Sequence, residues 1–111
     1  HTQGWSRVIL DIALPYETKL EKAQTAILDA ANALLTDNSF SKRMLGKPEI
    51  WGIEALNGRQ VVLRLVQQVG PQDADDVARE LRLRVKEALD KAKISLADTP
   101  LYVEVAGKAI K

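Results

Sequence analysis

The chain has 111 residues, a formal net charge of +1, 46% hydrophobic residues and no cysteine. That length makes one domain, able to bury roughly 60–70% of the surface its unfolded form exposes. Balanced charge makes no demand for a polyanionic partner, and the missing thiols exclude disulfides, thiolate nucleophiles and thiolate metal sites. No apolar run approaches the roughly 18–20 residues of a membrane-spanning helix, and no signal peptide is visible. The chain begins at His1 rather than Met, which we read as the expectation that it is a piece of a longer protein.

Arg7 to Leu14 alternates as a strand, with Val8, Leu10, Ile12 and Leu14 on one face and Ile9, Asp11 and Ala13 on the other. Pro15-Tyr16 should end it, because proline donates no ladder hydrogen bond. Thr18 with Glu21 three residues on has the spacing of a capping box. Leu20, Ala23, Ile27, Ala30, Ala31 and Leu34 then recur at helical spacing, so a helix should run to about Leu35, before the polar Thr36-Asp37-Asn38-Ser39 cluster. Phe40, Met44 and Leu45 can form one helical turn at the core edge, stopped by Gly46 and Pro48.

Glu49 to Leu56 and Arg59 to Val69 read as two strands around Asn57-Gly58, a hairpin signal in which both turn positions take positive φ. In the second of them Val61, Leu63 and Leu65 face one way, and Val62, Arg64 and Val66 the other. Gly70-Pro71 turns the chain. Asp73 is placed to cap a helix whose first turn holds Asp75 and Asp76, a favourable position for negative charge. Val77, Leu81, Val85, Ala88 and Leu89 form its buried stripe. Arg79, Arg82, Lys86 and Lys91 form a solvated basic face, and Glu80 and Arg84 sit at i,i+4. Leu101, Val103 and Val105 alternate with Tyr102 and Glu104 as a last strand.

Strand–helix–strand–strand–helix–strand with right-handed crossovers closes as an α+β ferredoxin-like split βαβ sandwich, two helices on one face of an antiparallel sheet. In that topology the first and third strands are central neighbours, which brings Asp11 opposite Arg64 on the face without helices.

Groups for catalysis are scarce. His1 is the only histidine and is terminal, so nucleophilic triads and histidine-rich metal sites are not expected. Asp73, Asp75 and Asp76 lack the further oxygen ligands, central glycine and terminal glutamate of a calcium loop and read better as a helix start. No glycine-rich phosphate loop occurs. The fold is shared by RNA-binding domains that stack bases on central-strand aromatics, but Arg59 to Val66 has none, so no nucleic-acid partner is expected. Trp5, Trp51 and Tyr102 either cap the core or anchor a neighbouring domain or subunit. We expect no catalytic residue, no metal ligand and no cofactor. A small-molecule-binding regulatory domain of the same fold is the alternative function class.

Several runs resemble the cytoplasmic C-terminal domain of the small-conductance mechanosensitive channels, the MscS-like family. Gly4-Trp5-Ser6-Arg7-Val8-Ile9-Leu10-Asp11 is similar to that family's first strand of this domain, and Tyr16 to Ala23 to the start of its first helix. Pro48-Glu49-Ile50-Trp51-Gly52-Ile53-Glu54-Ala55-Leu56 resembles its second strand, Val61-Val62-Leu63-Arg64 its third, and Val77 to Asp90 its second helix. Of the family's Ile-Pro-Phe-Pro-like stretch after that helix, only Pro100 has a counterpart.

The resemblance implies a homo-oligomeric channel, heptameric in the family, opened by membrane tension and set in the inner or plasma membrane, with this domain on the cytoplasmic side. The domain would wall a vestibule through whose gaps ions and small solutes pass. Residues 1–6 would end a preceding β domain or linker, 7–96 would form the α+β domain, and 97–111 a closing strand and tail. Leu101 to Val105 would join a small barrel at the vestibule's base. Pore helices would lie upstream, and the membrane would be met only through them. The candidate vestibule or interface residues are Asp11, Trp51, Glu54, Arg64, Lys86 and Tyr102.

Overall fold

In a computed structural model that describes residues 4–96, the chain forms β1 (Ser6–Pro15), α1 (Leu20–Leu35), a 3-10 turn (Ser41–Arg43), β2 (Glu49–Asn57), β3 (Gln60–Val69) and α2 (Ala74–Lys91). The strands make one antiparallel sheet in the order β1-β3-β2, and β1 pairs with β3 from Ser6 opposite Val69 to Pro15 opposite Gln60. These are the first five elements of the expected six. The expected last strand, Leu101 to Val105, and Tyr102 within it lie outside the described residues.

Period-two alternation decides the two sheet faces. Val8, Ile12 and Leu14 of β1 and Leu63, Leu65 and Val69 of β3 enter the core. There they meet Ala23, Ile27, Ala31 and Leu34 of α1 and Val77, Leu81, Val85 and Leu89 of α2. These are most of the apolar stripes read from helical spacing; Leu20, Ala30 and Ala88, expected with them, are only half-buried. Ile9, Asp11, Arg64 and their neighbours face away from both helices.

Five local expectations are corrected. β1 takes in Pro15, and the Tyr16 amide beyond it still donates to the Arg59 carbonyl at 2.8 Å. The Thr18 amide then donates to the Pro15 carbonyl at 3.0 Å, closing a turn that delays the helix. The N-cap of α1 is therefore Lys19, with no side-chain cap, and the Thr18–Glu21 capping box does not form. Asp73 does occupy the N-cap position of α2 but makes no capping bond, because its carboxylate accepts from Arg43 Nε at 2.9 Å. A charged donor outcompetes a neutral amide for a carboxylate. Asp76 accepts from the same guanidinium at 2.6 Å.

The hairpin turn sits one residue later than expected. Asn57 pairs with Gln60, so the two loop residues are Gly58 and Arg59, and Gly58 carries φ +57. Lys93 is the one non-glycine residue with positive φ among those described, so Arg59 is negative. Those are the φ signs of a type II′ turn, which wants glycine first. The stretch after Phe40 gives only the 3-10 turn. Met44 then bridges Val69, and the Leu45 amide donates to the Gln68 carbonyl at 2.9 Å, so Met44 reaches the core as an extended residue.

The end of α2 is a complete Schellman motif. The Ile94 amide donates to the Leu89 carbonyl at 2.9 Å, the Lys93 amide to the Asp90 carbonyl at 3.0 Å, and Ile94 is buried. Lys93 holds the left-handed position with φ +61, where a side chain is strained. Replacing Lys93 with Gly is therefore expected to stabilise the domain by about 0.5–1 kcal/mol, read as a higher urea midpoint at constant slope. A lower midpoint would show that the Lys93 side chain makes a contact worth more than the strain.

Candidate functional site

The helix-free sheet face carries the densest set of chemically distinctive side chains. At its centre Asp11 and Arg64 face each other in the β1–β3 register. Arg64 donates from Nε to Asp11 Oδ1 at 2.8 Å and from Nη2 to Oδ2 at 3.1 Å, a bidentate fork. Glu54 Oε1 lies 3.3 Å from Arg64 Nη1. The Asp11 hydrogen bonds push the guanidinium further above its ordinary value, against a smaller opposing desolvation, so it is always charged.

Glu54 reaches this face because β2 is bulged. Its register against β3 shifts between Ile50 and Gly52 and again between Ile53 and Ala55, leaving Trp51 and Glu54 as the extra residues. Unbroken alternation from Glu49 would have aimed Glu54 at the helices. Gly52, with φ +111, supplies the backbone freedom the first bulge needs. An isolated glycine within a strand is the sequence signal that could have revealed it.

Toward the start of β1 the same face ends in an aromatic clamp. The Arg7 guanidinium carbon is 5.3 Å from the Trp5 ring centroid and 5.5 Å from that of Trp51. This is cation–π distance to both. Trp51 Nε1 donates to Glu49 Oε1 at 3.3 Å. Trp5, Ile9 and Trp51 remain about half exposed, and beside them Val66 is buried. Arg7 was missed in the sequence, where nothing marks which cation a pair of distant tryptophans will hold.

Lys86 stands apart from this cluster. It lies on α2, bonded to Asp90 at 2.7 Å, at the rim of a groove between α2 and β1. Of the six candidate residues, the fold therefore brings together Asp11, Glu54 and Arg64, places Trp51 at one end of the same face, and separates Lys86; Tyr102 lies outside the described residues. On the helix side of β2, Ile53 and Leu56 pair with the buried Leu63 and Val61 yet are 47% and 61% exposed. That edge thus offers a second apolar surface.

A third polar cluster is structural. Arg84 donates to Glu80 at 2.9 Å and to Asp37 at 2.6 Å, tying α2 to the loop after α1. The Ser39 amide, and then Arg84, hold the Asp37 carboxyl below the usual carboxylate range. A depressed folded-state value contributes stability above the unfolded-state value and loses it as pH falls through the folded one. Melting temperature should therefore fall from about pH 4 downward, and Asp37→Asn should flatten that acid slope. Parallel acid profiles for the two proteins would rule out Asp37 as a source.

Among the described residues no set of three or more His, Cys, Asp or Glu side chains gathers to hold a metal, and no helix is long and apolar enough to cross a membrane. What the open face can do chemically is pack, stack and present paired charge.

The family described as mechanosensitive ion channel MscS, C-terminal, matches residues 8–96. No curated protein matches the chain. Among solved structures, the crystal structure of Helicobacter pylori MscS in the closed state superposes with a TM-score of 0.69 at 19% identity over 96% of this chain. Arabidopsis thaliana MSL1, solved by cryo-EM, superposes with a TM-score of 0.64 at 17% identity over 87%. The chain spans 40% of the first of those chains and 35% of the second. The sheet order, the two helices on one face and a family match over nearly every described residue agree: the chain belongs to the MscS mechanosensitive ion channel family, as its C-terminal domain.

Proposed function

We propose that this domain is the soluble wall of a homo-oligomeric, tension-gated channel, placed on the cytoplasmic side of the membrane. It packs against copies of itself and filters the ions and small solutes that leave. The family match across residues 8–96 carries this reading. The open sheet face supports it, since half-exposed Trp5, Ile9 and Trp51 beside a rigid charge triad suit packing and passage better than catalysis. The domain does no chemistry of its own. Residues 1–6 join it to a preceding β domain, and a heptamer is the assembly.

The test is tension-evoked current from the full-length protein in giant spheroplasts that lack their own mechanosensitive channels. A conductance opening with suction is the expected result. Protein present in the membrane without any such current overturns the reading. Arg64→Glu in that protein should shift the reversal potential toward cations, because the triad becomes a carboxylate ring element. An unchanged reversal potential removes the filtering role and leaves packing alone.

A further inference from the structure

Two arginines stand on the open sheet face in opposite circumstances. Arg64 lies across the β1–β3 register from Asp11, and the two close a bidentate fork. Arg7 lies across the same register from Gln68, a neutral amide. Among the described residues Arg7 pairs with no carboxylate, and neither does Lys47. Two indole rings hold the Arg7 guanidinium instead, at 5.3 Å from the Trp5 centroid and 5.5 Å from that of Trp51. Aromatic rings restrain a guanidinium electrostatically without accepting from its N–H donors. Arg7 is therefore a positioned fork donor that has no acceptor among the described residues.

That donor opens on a pocket of about 280 Å³, lined also by Lys47, Glu49, Trp51, Val66 and Gln68. The Glu49 carboxylate is engaged at the edge of the indole, where it accepts from Trp51 Nε1 at 3.3 Å. Two cations against one carboxylate leave the lining positive, which favours an anion. Gln68 adds an amide that can donate or accept. The Trp51 ring and Val66 add apolar surface, from which an inorganic anion gains nothing and a hydrocarbon chain does. The size sits just below the roughly 300–1,000 Å³ of pockets for drug-sized ligands, so the occupant is small. A fork donor, a second cation and an apolar wall together match a carboxylate on a short carbon chain. Because the rings already restrain the guanidinium, less side-chain freedom is lost when the anion arrives.

We propose that Arg7, braced by Trp5 and Trp51 and assisted by Lys47, binds the carboxylate of a small organic acid taken from solution. The site is separate from the Asp11–Arg64–Glu54 triad, and it stands whether or not the domain serves a channel.

Trp5 and Trp51 are the only tryptophans of the chain, so indole fluorescence reports this site alone. Sodium glutarate, titrated into the 111-residue chain against sodium chloride of equal ionic strength, should give a saturating change. On isotope-labelled chain the accompanying NMR shifts should be confined to the two indole N–H groups, Arg7 and the residues around Lys47. Arg7→Lys keeps the charge and loses the fork, so it should weaken glutarate about tenfold, while Lys91→Gln on exposed α2 leaves binding unchanged. If Arg7→Lys fails to fold, the wild-type shift map still decides. A response no larger than that of chloride overturns the proposal. Inorganic phosphate binding as well as glutarate overturns the carboxylate assignment. Indole signals that follow protein concentration but not glutarate would mean that an acidic side chain of a second copy fills the site, which overturns the assignment to a free acid.

Discussion

Leu63→Ala should cost the domain about 3–4 kcal/mol, lowering the urea midpoint without changing the slope. Leu63 is fully buried in the central strand, opposite Ile12 on β1 and Ile53 on β2. Truncation there removes transfer free energy and also leaves a cavity, since two paired backbones hold the site open from both sides. For a domain of this size that loss corresponds to a melting-temperature drop of roughly 15–25 °C. A loss under about 1 kcal/mol would mean that the helices can collapse onto the sheet, and that the core is far less tightly packed than its burial indicates.

Gly52→Ala should cost about 1–3 kcal/mol through a different cause. Nothing lies within 4 Å of where its Cβ would stand, so no clash is involved. The penalty comes from φ +111, a conformation that residues with a Cβ rarely adopt. The alanine chain can escape by removing the bulge, and β2 would then slip so that Glu54 leaves Arg64. The check is a pair of measurements: stability by denaturation, and the salt dependence of that stability. Loss of stability together with a weaker salt dependence is the expected outcome, because the Glu54 arm of the triad is screened by salt. Full stability with an intact triad would show that the bulge does not need glycine.

Most of the architecture was legible in the chain because periodicity is a local property. Val8, Ile12 and Leu14 at spacing two, and Val77, Leu81, Val85 and Leu89 at spacing near 3.6, announce their elements without knowledge of any partner. Asp11 opposite Arg64 was legible for a related reason. Once strand faces and topology are known, register pairs two residues 53 positions apart. The runs resembling MscS-like channels also carried over, and the match to residues 8–96 bears them out.

The misread positions share one feature, a local rule overruled by a competing contact, near or distant. Asp73 has the composition of a cap but binds Arg43, thirty positions away. Thr18 loses its capping role to a turn closed on Pro15, and the hairpin turn moves to Gly58-Arg59 because Asn57 is taken up by Gln60 in the ladder. Arg84 looked like half of a helical i,i+4 pair, yet it also holds Asp37 forty-seven positions away.

By itself the sequence determined the element order, the buried stripes, the helix-free sheet face and the family, because each is written in spacing and residue type along the backbone. Only the tertiary structure decided that bulging of β2 turns Glu54 toward Arg64, that Trp51 meets Arg7, that Lys86 lies by the β1 groove instead, and that Lys93 reverses the backbone so that Ile94 is buried. Those outcomes depend on which charged and aromatic groups meet when the layers close. Such meetings are set by register and twist in three dimensions, which no local pattern encodes.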